Sequence, residues 1–247
     1  MLLRKKNVSL LIFDLDDTLV DTSDVYWRAK KLFIEILKKQ APQLAESFLD
    51  KTFEDIDTLN LKGYGHAPTR YGKSMIDTYL FLLSKKYLEY DLEIEKKIAE
   101  AGNMILNTIP KLINGAIDLL IWCKSKYNLA LVTRGEEDLQ RKKINHLKLE
   151  HYFDLIRIVP EKSESDFVRI IKDFHINKKD TWIIGDSLKA EIETGLKLGV
   201  NCIFFNYSHS SYRWIQERNY SIVSRKAFFK VNSLNEIPII LERSAFA

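Results

Sequence analysis

Six largely apolar residues, Val8 to Phe13, have the near-continuous hydrophobic character of a β-strand buried on both faces, and acids follow at Asp14 and Asp16. After Val20 the period changes from that of a strand to that of a helix. Val25, Ala29, Leu32, Phe33, Ile36 and Leu37 mark one face of a helix over 24–40, and similar spacing predicts helices over 44–56, 74–88 and 93–107, with Pro42, Pro68 and Pro110 as punctuation. From Lys111 onward amphipathic segments alternate with short apolar runs: helices over 116–127, 136–147, 166–174 and 189–198, strands over 129–132, 155–159, 181–184 and 202–205. The tail is less regular, with helical character at 212–218 and 237–241 and short strands around Ile222 and Phe229.

Strand–helix alternation predicts an α/β fold, a Rossmann-like parallel sheet with helices on both faces. The helical stretch 22–109 interrupts it, so we expect a core domain of 1–21 and 110–247 and an inserted helical domain of 22–109. A chain of 247 residues suffices for two such domains. Its net charge of +4 suits an anionic small molecule and is far from a nucleic-acid signature. Cys123 and Cys202 lie in apolar stretches outside any CxxC pair and read as buried free thiols. With no signal-peptide pattern and no run long enough to span a bilayer, the expected location is cytoplasmic, with no membrane partner and oligomeric state unread.

In open parallel sheets ligands bind beyond the carboxyl ends of the strands, which gives polar residues there extra weight. Side chains two apart on an extended chain project the same way, so Asp14 and Asp16 are expected to face one small volume, and like charges that close call for a cation. Mg²⁺ suits such oxygen ligands. Thr133, Arg134 and Gly135 follow the second strand at a helix start, where a hydroxyl and free backbone N–H groups favour an anion. The strand over 181–184 runs into Gly185, Asp186 and Ser187, followed by a helix carrying Glu191.

The run DLDDT, Asp14 to Thr18, resembles the DxDxT signature of the haloacid dehalogenase-like hydrolases. Thr133 resembles the second motif of that family, Lys162 the third, and the segment from Gly185 to Glu191 the fourth, in the same order along the chain. The resemblance implies Asp14 as nucleophile, Asp16 as general acid and base, and Lys162 as the cation between nucleophile and phosphoryl group. It implies Mg²⁺ held by Asp14, the backbone carbonyl of Asp16 and Asp186. Glu191 stands where an Asp is more usual; being one methylene longer, it is expected to orient Lys162 or a water on the metal, with direct ligation left open. Thr18, Arg134 and Gly135 are expected to contact the substrate, with N–H groups near Leu15 and Arg134 at the phosphoryl oxygens. The inserted helices resemble the type of cap that the family places between its first and second motifs.

Other motifs fail. Arg70 to Ser74 resembles the end of a P-loop, but Ala67 stands where its first glycine belongs and no strand precedes it. The histidines show no metal-ligand spacing. The segment Gly63 to Lys73 is glycine-rich, basic and aromatic, and Arg70 and Lys73, with His66 and Tyr64, are the expected leaving-group contacts. The expected reaction is hydrolysis of a small phosphate monoester through an aspartyl phosphate. Asp16 argues against dehalogenation, which needs no general acid. A phosphomutase of the same fold and a non-catalytic phospho-ligand-binding module remain the alternatives.

Overall fold

The computed structural model describes residues 9–207 and 228–244; the helix expected over 212–218 and the strand around Ile222 lie outside them, as does Val8. The chain divides into two compact units, Met1–Ser23 with Pro110–Ala247, and Asp24–Ile109.

The second unit is built from helices α1 (Thr22–Gln40, which starts just before it), α2 (Glu46–Tyr64), α3 (Arg70–Ser84) and α4 (Leu92–Asn107). Phe33, Leu37, Leu49, Phe53, Tyr71, Met75, Leu82 and Ile98 are buried. The rings of Phe33 and Phe53 lie 5.5 Å apart, and those of Phe53 and Tyr71 lie 5.1 Å apart. Burying each such side chain is worth about 1.5–3 kcal/mol. Asp91 caps α4, accepting from the N–H groups of Glu93 at 2.8 Å and Ile94 at 3.3 Å. Helices α3 and α4 meet at Gly72 and Gly102, where a Cβ on Gly102 would stand 2.5 Å from the Gly72 Cα.

Helices α2 and α3 have ends that the apolar spacing does not predict. Helix α2 continues past Ile56 to Tyr64 because its inward-facing residue there is polar: Asp57 is buried against Arg70. Helix α3 accordingly begins at Arg70 rather than 74, and it ends at Ser84, two residues before Lys86 adopts a left-handed φ of 60°.

Among the described residues the first unit holds a six-stranded sheet, β1 (Leu10–Phe13), β2 (Asn128–Arg134), β3 (Leu155–Val159), β4 (Thr181–Gly185), β5 (Asn201–Phe205) and β6 (Phe228–Val231). The spatial order is β3-β2-β1-β4-β5-β6 and every neighbouring pair is parallel. Helices α5 (Ala116–Lys124), α6 (Glu137–His146), α7 (Glu164–Asp173), α8 (Thr194–Leu198) and α9 (Ile237–Ser244) complete it. Alternation along β1 splits the core: Leu11 and Phe13 pack with Leu119, Leu120 and Ile237, whereas Leu10 and Ile12 pack with Phe167, Ile170 and Leu198. The expected α/β fold with a parallel sheet covered on both faces is therefore the one observed. Both cysteines are buried and free. Among the described residues no helix is long and apolar enough to cross a membrane.

Central placement carries the site. Phe13 pairs with Leu131 on one side and Ile184 on the other, so β1 ends between the ends of β2 and β4. The strand order brings residues distant in sequence to one edge of the sheet.

Candidate active site

Past Phe13 the Asp14 N–H still bonds to the Ile184 carbonyl at 2.9 Å, after which the chain turns tightly. The Leu15 carbonyl accepts from Leu19 at 2.8 Å and from Val20 at 3.0 Å, and Asp17 takes a left-handed φ of 57°. Asp14 is buried. The Lys162 ammonium donates to Asp14 Oδ1 and, at 2.6 Å, to Glu191 Oε1. Thr18, also buried, directs its hydroxyl to Asp14 Oδ2 at 3.4 Å, so it braces the carboxylate and does not present a free hydroxyl.

Glu191 sits on a π-helical stretch, Leu188–Glu193, that precedes α8 where the spacing predicts one regular helix. The wider turn carries Glu191 inward: its Oε2 accepts from the Ser187 N–H at 2.9 Å, and it packs so closely on Gly185 that a Cβ there would meet Glu191 Cγ at 2.8 Å. Burial pushes the Glu191 carboxyl up to about 7 although the Lys162 charge opposes it, and neighbouring Asp14 adds to the rise. Burial also acts to lower the Lys162 ammonium, but the charges of Asp14 and Glu191 outweigh it and hold Lys162 protonated above its usual range.

One carboxylate oxygen each from Asp14, Asp186 and Glu191 lies within 4.8 Å of the others. A hard divalent cation fits that donor set better than a thiophilic one, since every donor is oxygen.

The Asp16 carboxylate is not one of that group and has other partners, which corrects the expectation that its side chain faces the same cation as that of Asp14. Its Oδ1 accepts from Lys143 Nζ at 2.7 Å and from the Thr22 hydroxyl, and its Oδ2 accepts from Gln140 Nε2 at 2.8 Å. The turn after Asp14 ends the strand, so period-two alternation no longer governs Asp16. Burial acts to raise this carboxyl, yet the Lys143 charge and the bonds from Lys143, Thr22 and Gln140 outweigh it, and the group lies below its ordinary value.

Thr133 is fully buried at the end of β2, and its hydroxyl oxygen meets Gln140 Nε2 at 2.5 Å. Arg134 reaches Glu161 at 3.5 Å and stays partly exposed. The Gly135 N–H is engaged by the Val159 carbonyl at 2.9 Å, which corrects its expected place among free phosphate donors. In the helical unit, Arg70 is 3% exposed and paired with Asp57, so it is a core ion pair and not the open contact that its glycine-rich surroundings suggest. Lys73 is exposed, 2.9 Å from Asp77 and over the Tyr64 ring, and His66 is exposed. Thr22, Gln140 and Lys143 escaped the sequence reading because no motif spacing marks them.

Residues 11–205 match the haloacid dehalogenase-like hydrolase family. The chain is 24% identical over 249 residues to glyceraldehyde 3-phosphate phosphatase of Pyrococcus furiosus, spanning 96% of this chain and 95% of that protein. It is 25% identical over 248 residues to N-acylneuraminate-9-phosphatase of Mus musculus, spanning 95% and 94%. A solved haloacid dehalogenase-like family hydrolase from Xanthomonas campestris has the same fold, with a TM-score of 0.75 at 22% identity over 96% of this chain and 91% of that one.

Proposed function

The chain belongs to the haloacid dehalogenase-like hydrolases and is a phosphoric-monoester hydrolase, and from that premise we propose that it cleaves a small primary alkyl phosphate through an aspartyl phosphate, with Mg²⁺ as cofactor. The observation that carries this reading is the convergence of Asp14, Lys162, Asp186 and Glu191 beyond the ends of β1, β3 and β4. The relatives named above act, by their names, on esters of primary alcohols, which supports the substrate class.

Asp14 attacks phosphorus in line with the leaving oxygen, forming the carboxylate–phosphorus bond as the ester bond breaks. Thr18 and Lys162 hold the Asp14 carboxylate, so the nucleophile meets the substrate in one orientation. The leaving oxygen takes its proton by way of Asp16, which is ionised in the free protein and first takes up a proton, from solvent or from the ester's own monoanion, before passing it on; it is left in the ionised form that Lys143 and Gln140 bind. The same ionised Asp16 then takes a proton from the water that cleaves the acyl phosphate, releasing inorganic phosphate and restoring Asp14. Lys162 and the Thr133 hydroxyl are assigned to the transferring phosphoryl oxygens. Asp14, Asp186 and the Asp16 carbonyl would hold Mg²⁺, with Glu191 orienting Lys162, and the ion when bound supplies positive charge beside the phosphoryl group. Selection of the ester is assigned to the helical unit, where His66 and Lys73 carry exposed side chains; Arg70 is committed to Asp57 and drops out of that assignment.

Phosphate release from a panel of phosphomonoesters, with and without Mg²⁺, tests the reading. Release by the wild type that requires Mg²⁺ and is lost in Asp14→Asn is the expected result. A folded wild type that releases phosphate from no ester, or an Asp14→Asn variant that keeps full activity, would overturn it.

A further inference from the structure

Helix α6 carries five charged side chains, Glu137, Asp138, Arg141, Lys142 and Lys143, and all but Lys143 face solvent. Lys143 lies one turn beyond Gln140 on the same helix face, and both side chains run to the Asp16 carboxylate, one to each oxygen. Gln140 is 3% exposed, and its side-chain nitrogen is shared among Asp16 Oδ2 at 2.8 Å, Thr133 Oγ1 at 2.5 Å and the Arg134 carbonyl at 2.9 Å. That amide therefore ties the acid and base of the reaction to the hydroxyl assigned to the phosphoryl group. The backbone leaves room for it: Gly135 has φ +147°, and a Cβ there would meet Gln140 Cγ at 3.1 Å.

We propose that Gln140 and Lys143 are positioning residues for Asp16, holding its carboxylate in register with Thr133 so that the proton it relays reaches the leaving oxygen in one orientation. The proposal rests on the phosphatase reading above. An ordinary exposed ion pair contributes little. This one differs because the Lys143 side chain is 15% exposed, is aimed at the reacting carboxylate and works beside a buried amide. A carboxylate held in one orientation meets the leaving oxygen without a search among rotamers. Both residues act through Asp16 and neither needs to touch the substrate.

Leaving-group dependence separates this role from a structural one. An alkoxide leaves poorly without a proton, whereas 4-nitrophenolate leaves with little help, so a defect in acid assistance falls on alkyl esters. The kcat/KM of wild type, Lys143→Met, Lys143→Arg and Gln140→Leu is measured with the fastest primary alkyl phosphate of the panel and with 4-nitrophenyl phosphate. Each ratio reports steps up to formation of the acyl phosphate. Lys143→Met and Gln140→Leu are expected to lose about 10- to 100-fold on the alkyl ester and less than about 3-fold on the aryl ester, with Lys143→Arg recovering most of the loss. Equal losses on both esters, or none on either, would overturn the proposal while leaving the phosphatase reading intact. A wild type inactive on both esters would overturn that reading and the proposal with it. If Lys143→Met does not fold, Lys143→Gln, which keeps polarity without charge, is read by the same ratio.

Discussion

The ammonium of Lys162 lies 2.6 Å from Glu191 Oε1 and donates to Asp14 as well, so one buried cation is shared by carboxylates that follow two adjacent strands. Lys162 is 5% exposed, Asp14 6% and Glu191 3% by side chain. Removing one member of such a group leaves uncompensated charge where little solvent reaches it.

Lys162→Met is therefore expected to lower stability in metal-free buffer by about 3–5 kcal/mol, because Asp14 and Glu191 are then left facing each other. Added Mg²⁺ is expected to restore part of that loss, since a bound cation stabilises the folded state by mass action. Denaturant titrations of wild type and variant, with and without Mg²⁺, check both. Equal metal-free stability would mean that the pair contributes nothing.

Asp17 gives a pH dependence of unusual sign. Burial pushes its carboxyl from 3.8 up to about 7, against the pull of the Ser23 hydroxyl and the Ser23 N–H, which lies 2.8 Å away. Between those values the folded protein keeps a proton that the unfolded chain has released, so the folded state binds more protons and stability falls as pH rises. The fall amounts to at most about 4 kcal/mol from pH 4 to pH 7. Asp17→Asn keeps an acceptor for the Ser23 N–H and cannot titrate; its stability is expected to vary less over that range and to exceed that of the wild type at pH 8. Identical pH profiles of the two proteins would refute the assignment.

The helical unit offers a packing test. A Cβ on Gly102 would stand 2.5 Å from the Gly72 Cα, which is backbone and cannot step aside, whereas a Cβ on Gly72 would stand 3.3 Å from Gly102. Gly102→Ala is expected to cost about 1–3 kcal/mol and to speed amide exchange in α3 and α4, and Gly72→Ala to cost less. A reversed order of the two variants would show that the helices do not meet as described.

Much of this was legible in the sequence. The order of strands and helices from β1 to β5 follows from periodicity, because each element buries one face and the spacing of apolar residues records which one. Asp14, Lys162, Asp186 and Glu191 stood out through their places after apolar runs and through family motifs, and the strand order brings all four together. Where the reading failed, a polar residue was doing a buried residue's work. Asp57 and Arg70 interrupt the apolar spacing of α2 and α3 because each satisfies the other in the helical core.

The sequence by itself determined the α/β class, the helical insertion and the acids at the strand ends, since these depend on local periodicity and on neighbours along the chain. Only the tertiary structure decided that the Asp16 carboxylate meets Lys143, 127 residues later, that Gln140 reaches both Asp16 and Thr133, and that the Gly135 N–H is occupied by Val159. Such pairings depend on strand order, on the rotation of α6 about its axis and on the turn after β1. No periodicity records these, because a polar side chain has the same spacing whether it meets water or a partner across the sheet.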